Sequence, residues 1–235
     1  MPASFVSSAV PERPRSTALL LGDALRRPGG RRAVSVLSLV LFVAGVGMFA
    51  YPVGTDLYSR YRQGNLDSRF DDPVLATEYR DHHVPVGGAL TRLRIPQKDV
   101  GLDVLVVEGT TPAALRAGAG HYPGSPLPGE AGNVGIAGHR TTFGRPFNHL
   151  DLMHPGSVVL LDTPFARYTY QAVPPFGGHA NPWVVSPNDV SVVGQTAGHL
   201  LTLTTCHPKG SARRRLVLRL ALIRTEKLPA STSSG

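Results

Sequence analysis

The stretch Leu200-Leu201-Thr202-Leu203-Thr204-Thr205-Cys206-His207-Pro208 decides how this chain is read. It is apolar and β-branched, which marks a buried strand, and it runs out into a loop just past the protein's only cysteine. A second run, Arg215-Leu216-Val217-Leu218-Arg219-Leu220-Ala221-Leu222-Ile223, follows it. In that run Leu216, Leu218, Leu220 and Leu222 share one face, which must be the core, while Arg215, Val217 and Arg219 share the other. In the first run Leu201 and Leu203 take the core face, so Thr202, Thr204 and Cys206 point away from it. A hairpin closed through His207 to Arg214 sets Cys206 opposite Arg215, with Cβ atoms about 5 Å apart. A thiol beside a guanidinium on a surface groove has the surroundings of an activated nucleophile.

Such a thiol needs a base, because a group of pKa about 8.5 is only about 3% thiolate at pH 7. Of the nine histidines, His139 is best placed. It follows the strand Asn133-Val134-Gly135-Ile136-Ala137-Gly138, whose Val134 and Ile136 take the core face. His139 shares the outward parity of Gly135 and Ala137, whose small side chains leave room for a neighbouring strand or a substrate. His82-His83 have no partner cluster and read as a solvated linker pair. Asp151, Asp162 and Asp189 are scattered, so neither a metal nor another cofactor is expected. A single cysteine excludes an intramolecular disulfide.

The rest of the 235-residue chain falls into segments of different character. Residues 1–32 are rich in Pro, Ser and Arg without periodicity and are expected to be a disordered cytoplasmic tail. Residues 33–53 carry no charge; at 1.5 Å per residue, about 20 residues cross a bilayer core of about 30 Å. Arg26, Arg27, Arg31 and Arg32 crowd the near side of this run, which places the N-terminus in the cytoplasm and the remainder outside. The run is long for a cleaved signal peptide and lacks a clear small-x-small site. Much of the net charge of +8 lies in these arginines and in Arg213-Arg214-Arg215. That distribution suits anionic headgroups, and without an aromatic-interleaved basic motif no nucleic acid partner is expected. Residues 54–89 read as an extracytoplasmic stalk and linker: a short helix from Thr55 that ends before Pro73, then breakers at Pro85 and Gly87-Gly88. From Leu90 the pattern turns to short strands, with one short helix capped by Thr111 and begun by Pro112. Residues 174–198 are a long connection holding a brief strand at Trp183-Val184-Val185. The expectation is a mainly β domain over 90–224, closed into a barrel, with a disordered tail at 225–235.

Three motifs in order, Ala137-Gly138-His139-Arg140-Thr141-Thr142-Phe143-Gly144, Leu203-Thr204-Thr205-Cys206 and then Arg215, resemble those of the sortases. The likeness is strongest to the class E sortases of actinobacteria. His121-Tyr122-Pro123-Gly124 and Cys206-His207-Pro208-Lys209 support it, and it extends from Leu90 to Ile223. The resemblance implies an eight-stranded sortase-type barrel and a membrane-anchored cysteine transpeptidase. Cys206 would cleave a C-terminal LAXTG- or LPXTG-like sorting signal between Thr and Gly. A thioacyl intermediate would then pass to an amine of a cell-wall peptide precursor of the lipid II type. His139 matches the family's general acid/base, and Arg215 the arginine that binds substrate or stabilises the oxyanion, ahead of its neighbours Arg213 and Arg214. Thr205, Phe143 and Tyr122 are expected to bind substrate. Phe143 departs from the tyrosine that many relatives carry there. The 174–198 segment is expected to wall the substrate groove, with Phe176 and His179 as candidate contacts and Trp183 expected to pack in the core rather than touch ligand. The implied partners are secreted proteins bearing a sorting signal, the wall precursor, and membrane lipid around one helix. An L,D-transpeptidase would place arginine two residues after the cysteine, where this chain has Pro208, and a papain-like hydrolase would place its cysteine before its histidine. A non-enzymatic cell-wall binding module and a pilin-polymerising sortase remain as alternatives.

Overall fold

The computed structural model describes residues 28–175 and 177–228, and the chain divides into two units, residues 1–50 and 51–235. The helix α1 runs from Pro28 to Phe70, with Pro52 inside it. Among the described residues it is the one helix long and apolar enough to cross a membrane. Its large apolar side chains from Val34 to Phe49 are exposed to the surroundings. The short helix expected from Thr55 is therefore the continuation of α1. Nothing before Asp72-Pro73 stops the helix, and Pro52 alone removes only one backbone donor. The stop is firm: the Asp72 carboxylate accepts from Val74 N at 2.9 Å and Pro73 opens α2 (Pro73–Arg80).

The second unit is a barrel. Its strands are β1 (Ala89–Ile95), β2 (Leu102–Glu108), β3 (Ala119–His121), β4 (Gly132–Ala137), β5 (Val158–Asp162), β6 (Ala166–Ala172), β7 (Trp183–Val185), β8 (His199–His207) and β9 (Arg214–Lys227). The sheet order is β6-β5-β1-β2-β3-β4-β8-β9, and β6 also pairs with β9, so eight strands close a ring and β7 attaches to β9 outside it. The expected eight-stranded barrel is therefore present, and closure leaves no long unpaired edge. Between β2 and β3 lies α3 (Pro112–Ala117), where Thr111 Oγ1 accepts from Ala114 N at 3.2 Å and Pro112 opens the helix.

The interior is filled by the alternating residues that the parity of the strands picks out. Val134, Ile136, Leu201, Leu203, Leu216, Leu218 and Leu220 are buried in one core with residues of β1, β2, β5 and β6. A satellite core forms where Leu66 of α1 meets Ala89, Leu105, Val107, Ala114 and Ala117. Gln63 extends this docking with three backbone bonds: Nε2 donates to Leu105 O (3.1 Å) and Ala117 O (2.8 Å), and Oε1 accepts from Leu105 N (2.7 Å).

Three expectations shift. The second hairpin strand opens at Arg214, not Arg215, because His207 pairs with Arg214. β9 runs on to Lys227, three residues into the expected tail, because β6 offers it a partner as far as Ala166. The face of β4 and β8 away from the core is not an open groove along its length. Asn133, Thr202 and Thr204 are buried on it. Asn133 Nδ2 donates to Val192 O (3.1 Å) and Gly194 O (3.2 Å), so the 190–193 turn of 3-10 helix roofs that face. Of the tails expected at 1–32 and 225–235, residues 28–32 are already the first turns of the long helix, while 1–27 and 229–235 lie outside the described residues.

Candidate active site

Cys206 and Arg215 are direct cross-strand partners in the antiparallel ladder of β8 and β9. On the other side of β8, β4 runs parallel with Ala137 opposite Thr204. The ladder ends at that pair, and His139 lies two residues beyond the end of β4 as Cys206 lies two residues beyond Thr204 on β8. The three expected catalytic residues therefore stand at neighbouring strand ends, His139 and Arg215 flanking Cys206. The roof stops short of them: Thr204 is buried, whereas His139, Cys206 and Arg215 are each half-buried.

The backbone around His139 is fixed from both sides. Gly138 N donates to Thr204 O (3.1 Å) and Phe147 N donates to His139 O (3.1 Å). Gly138 must be glycine, since a Cβ there would lie 2.6 Å from the buried Phe147 ring. Thr205, expected to bind substrate, points instead into the protein: it is 2% exposed and its hydroxyl donates to Gly138 O at 2.7 Å. It shares the parity of Leu201 and Leu203, so its hydroxyl ties the cysteine strand to the histidine segment. Arg140, unremarked in the sequence, does the same from the other side. Its buried guanidinium donates to Cys206 O (3.3 Å) and Asn148 O (3.3 Å), meets Asp151 at 2.9 Å and lies 3.5 Å from His207 Nδ1.

Tyr122 covers the place beside Gly135 that small side chains were expected to leave open. A Cβ on Gly135 would meet the Tyr122 ring at 2.9 Å, and the Tyr122 hydroxyl pairs with Thr204 Oγ1 at 2.9 Å. Its loop is held by a chain that the sequence reading missed. Buried His121 bonds Glu108 Oε2 through Nδ1 (2.7 Å) and Ser125 Oγ through Nε2 (2.8 Å), and Ser125 Oγ accepts from Gly135 N (3.1 Å). The only signal was the His121-Tyr122-Pro123-Gly124 motif; Glu108 lies thirteen residues upstream of His121 and carries no pattern.

Phe143 lies against His139, ring centroids 5.2 Å apart, at a backbone φ of 53°. Its other neighbours are Tyr58 of α1, edge-on at 6.4 Å, and Arg116 of α3, whose guanidinium carbon is 5.8 Å from the ring centroid. Burial first, and the Arg116 charge second, hold the His139 imidazole below its ordinary pKa. Arg215 is turned onto its own loop, donating to Ala212 O (2.9 Å) and Arg214 O (3.2 Å). Arg213 and Arg214 are exposed, and Arg214 pairs with His207 rather than with the cysteine. On the 174–198 segment, Trp183 is packed with Val192 and Val217, His179 stacks on it at 6.4 Å, and Phe176 lies outside the described residues.

A half-buried thiol whose neighbouring strand ends carry an imidazole and a guanidinium has at hand a nucleophile, a proton carrier and a cation for an oxyanion. Among described residues no group of three His, Cys, Asp or Glu side chains is disposed to hold a metal. Comparison with known proteins agrees with the fold and the motifs. The sortase domain model matches residues 93–223. Sortase SrtE2 of Streptomyces coelicolor is 32% identical over 232 residues, covering 88% of this chain and 89% of that protein. Sortase E of Streptomyces avermitilis superposes with a TM-score of 0.54 at 29% identity, over 64% of this chain and 97% of that one. Sortase E1 of Streptomyces coelicolor, solved with a tripeptide in the active site, gives 0.53 at 28% identity over 60% and 91%. By its matched domain, its near full-length relative and its closed barrel, the chain belongs to the sortase family of cysteine transpeptidases.

Proposed function

We propose that this protein is a membrane-anchored sortase that cleaves an LAXTG- or LPXTG-like signal between Thr and Gly and joins the new carboxyl end to a cell-wall amine. What supports this reading is the ladder in which Cys206 faces Arg215, with β4 pairing with β8 on the other side up to two residues short of His139. The Cys206 thiol gives its proton to His139 as Sγ bonds to the threonine carbonyl carbon, Arg215 steadies the oxyanion, and the C–N bond to glycine breaks as His139 hands that proton to the leaving amine. An acceptor amine then attacks the same carbon, the C–S bond breaks, and the amine's proton passes to His139. Arg215 reaches substrate by leaving the carbonyls of Ala212 and Arg214, exchanges that cost little because both bonds lie open to solvent. The 174–198 segment walls the donor groove beside Arg215, since Val185 of β7 pairs with that residue. Thr205 serves as a positioning residue, while Tyr122 and Phe143 border the groove. The substrates are secreted proteins with a C-terminal signal, and the acceptor is a lipid II-type wall precursor. The anchor is α1, its N-terminus cytoplasmic and the barrel outside.

The test is turnover of a fluorogenic Leu-Ala-x-Thr-Gly peptide by the full chain in detergent. Cys206→Ala should abolish both cleavage and the thioacyl adduct, and His139→Ala should be nearly as severe. Arg215→Ala should lose roughly 10²–10³ in rate, the scale of a missing oxyanion donor. Full activity of Cys206→Ala would remove the reading. A dead Arg213→Ala beside an active Arg215→Ala would transfer the arginine role.

A further inference from the structure

The site has two sides, and they differ in character. In sheet order β4 and β3, with α3 packed against β3, lie on the His139 side of Cys206, and β9 and β7 lie on the Arg215 side. On the His139 side a cleft of about 470 Å³ is lined by Tyr51, Gly54, Thr55, Tyr58, Arg116 and Phe143. Its walls are mostly apolar and aromatic. Its one cation is Arg116, which is exposed and, among the described residues, faces no carboxylate, only the Phe143 ring. The nearest acid on α1, Asp56, is engaged elsewhere, with Gly144 N (3.0 Å) and Arg145 (2.8 Å). Phe143 links the cleft to the chemistry, touching His139 at 5.2 Å and Tyr58 at 6.4 Å.

We propose that this cleft seats the incoming acceptor, an amine-bearing peptide that also carries a free carboxylate, with the carboxylate on Arg116 and the amine directed to His139. The inference rests on the reading of Cys206 and His139 given above and adds the acceptor's place and charge. The group that protonates the leaving amine must also take the proton from the entering one, so both amines pass on the His139 side. A cleft of this size holds the end of a peptide and not a folded domain. The unpaired cation and aromatic walls fit a short acidic peptide better than a neutral one. There is a useful coupling: Arg116 holds the His139 imidazole below its ordinary pKa, and a carboxylate on Arg116 relieves that effect. Acceptor binding thus makes His139 a better base when a proton must be removed from the amine.

The experiment uses the full chain in detergent and the fluorogenic donor, with triglycine and triglycinamide as competing acceptors that differ only in the terminal carboxylate. Donor cleavage is first measured with no acceptor. The wild-type protein should show a KM for triglycine about 3–5-fold below that for the amide, the scale of a partly exposed ion pair. That ratio should fall to about one in Arg116→Gln and be partly kept in Arg116→Lys, while Tyr58→Ala should raise both KM values together. In the wild-type protein the preference should also shrink as salt is raised, a reading that needs no variant. A wild-type ratio of one, a ratio that survives Arg116→Gln, or one indifferent to salt overturns the acceptor site. Absence of donor cleavage overturns the proposed function itself, and is seen before any acceptor is added.

Discussion

Arg140 shows how much one side chain can carry without touching the reacting atoms. It is 3% exposed, and a charge so buried persists only where it is paired and hydrogen-bonded. Its partners are the carbonyls of Cys206 and Asn148 and the Asp151 carboxylate, so one planar fork spans the nucleophile's strand and the segment that follows the histidine. Arg140→Ala leaves the partly exposed Asp151 to Lys209 and removes the bonds to the carbonyls of Cys206 and Asn148, and should cost about 1–3 kcal/mol, read as a lowered Tm. Arg140→Lys keeps the charge but not the fork. It should keep most of the melting temperature yet lose about 10–100-fold in kcat with KM little changed, the mark of displaced catalytic groups. A lysine variant with wild-type kcat would show that the bond to the Cys206 carbonyl is dispensable.

At the scale of elements, the second unit's part of α1 is a component of the site. Leu66 and Gln63 bind it to β2 and α3, and Asp56 then reaches the turn after the histidine, accepting from Gly144 N and pairing with Arg145. That turn needs holding, because Phe143, Gly144 and Arg145 all have positive φ, which costs energy for the two non-glycine residues. Asp56→Ala frees the turn and with it Phe143 against His139. Loss of about 1 kcal/mol of positioning corresponds to roughly a 5-fold fall in kcat for donor cleavage. The measurement is steady-state cleavage by the full chain, with thermal melting run in parallel. Unchanged kcat would mean that the turn holds itself and that α1 is only a support.

At the scale of the whole molecule, eight strands close and the ninth lies against β9 beside the cysteine strand's partner. The ring makes the strand ends a rigid platform, and register sets Cys206 opposite Arg215 on it. The same chain carries an apolar helical run preceded by arginines, which sets the expected orientation in a bilayer. In a Cys206→Ala background, a cysteine at Ser231 should react with a membrane-impermeant maleimide on intact cells. One at Ser7 should react only after permeabilisation. The reverse labelling overturns the orientation.

What the sequence determined by itself was everything that local pattern can carry. Alternation in Leu216, Leu218 and Leu220 assigned the core face, because a strand's side chains have a period of two. It also paired Cys206 with Arg215, because a short loop leaves a hairpin little freedom of register. Thr111-Pro112 announced α3, since capping and a missing donor act within one turn. The end before Pro73 was legible in the sequence, but the break expected between residues 53 and 55 is absent, because a change to polar residues does not end a helix. Tertiary structure alone decided the rest, because it depends on contacts between distant segments. The parallel pairing of β4 with β8 brings His139 to Cys206 across more than sixty intervening residues. Packing gave Thr205, inward by strand parity, the Gly138 carbonyl as its partner, buried Arg140 under the site and set Tyr122 over Gly135. It also brought Asp56 and Tyr58 of α1 to the turn after the histidine, a contact for which neither segment carries a local signal.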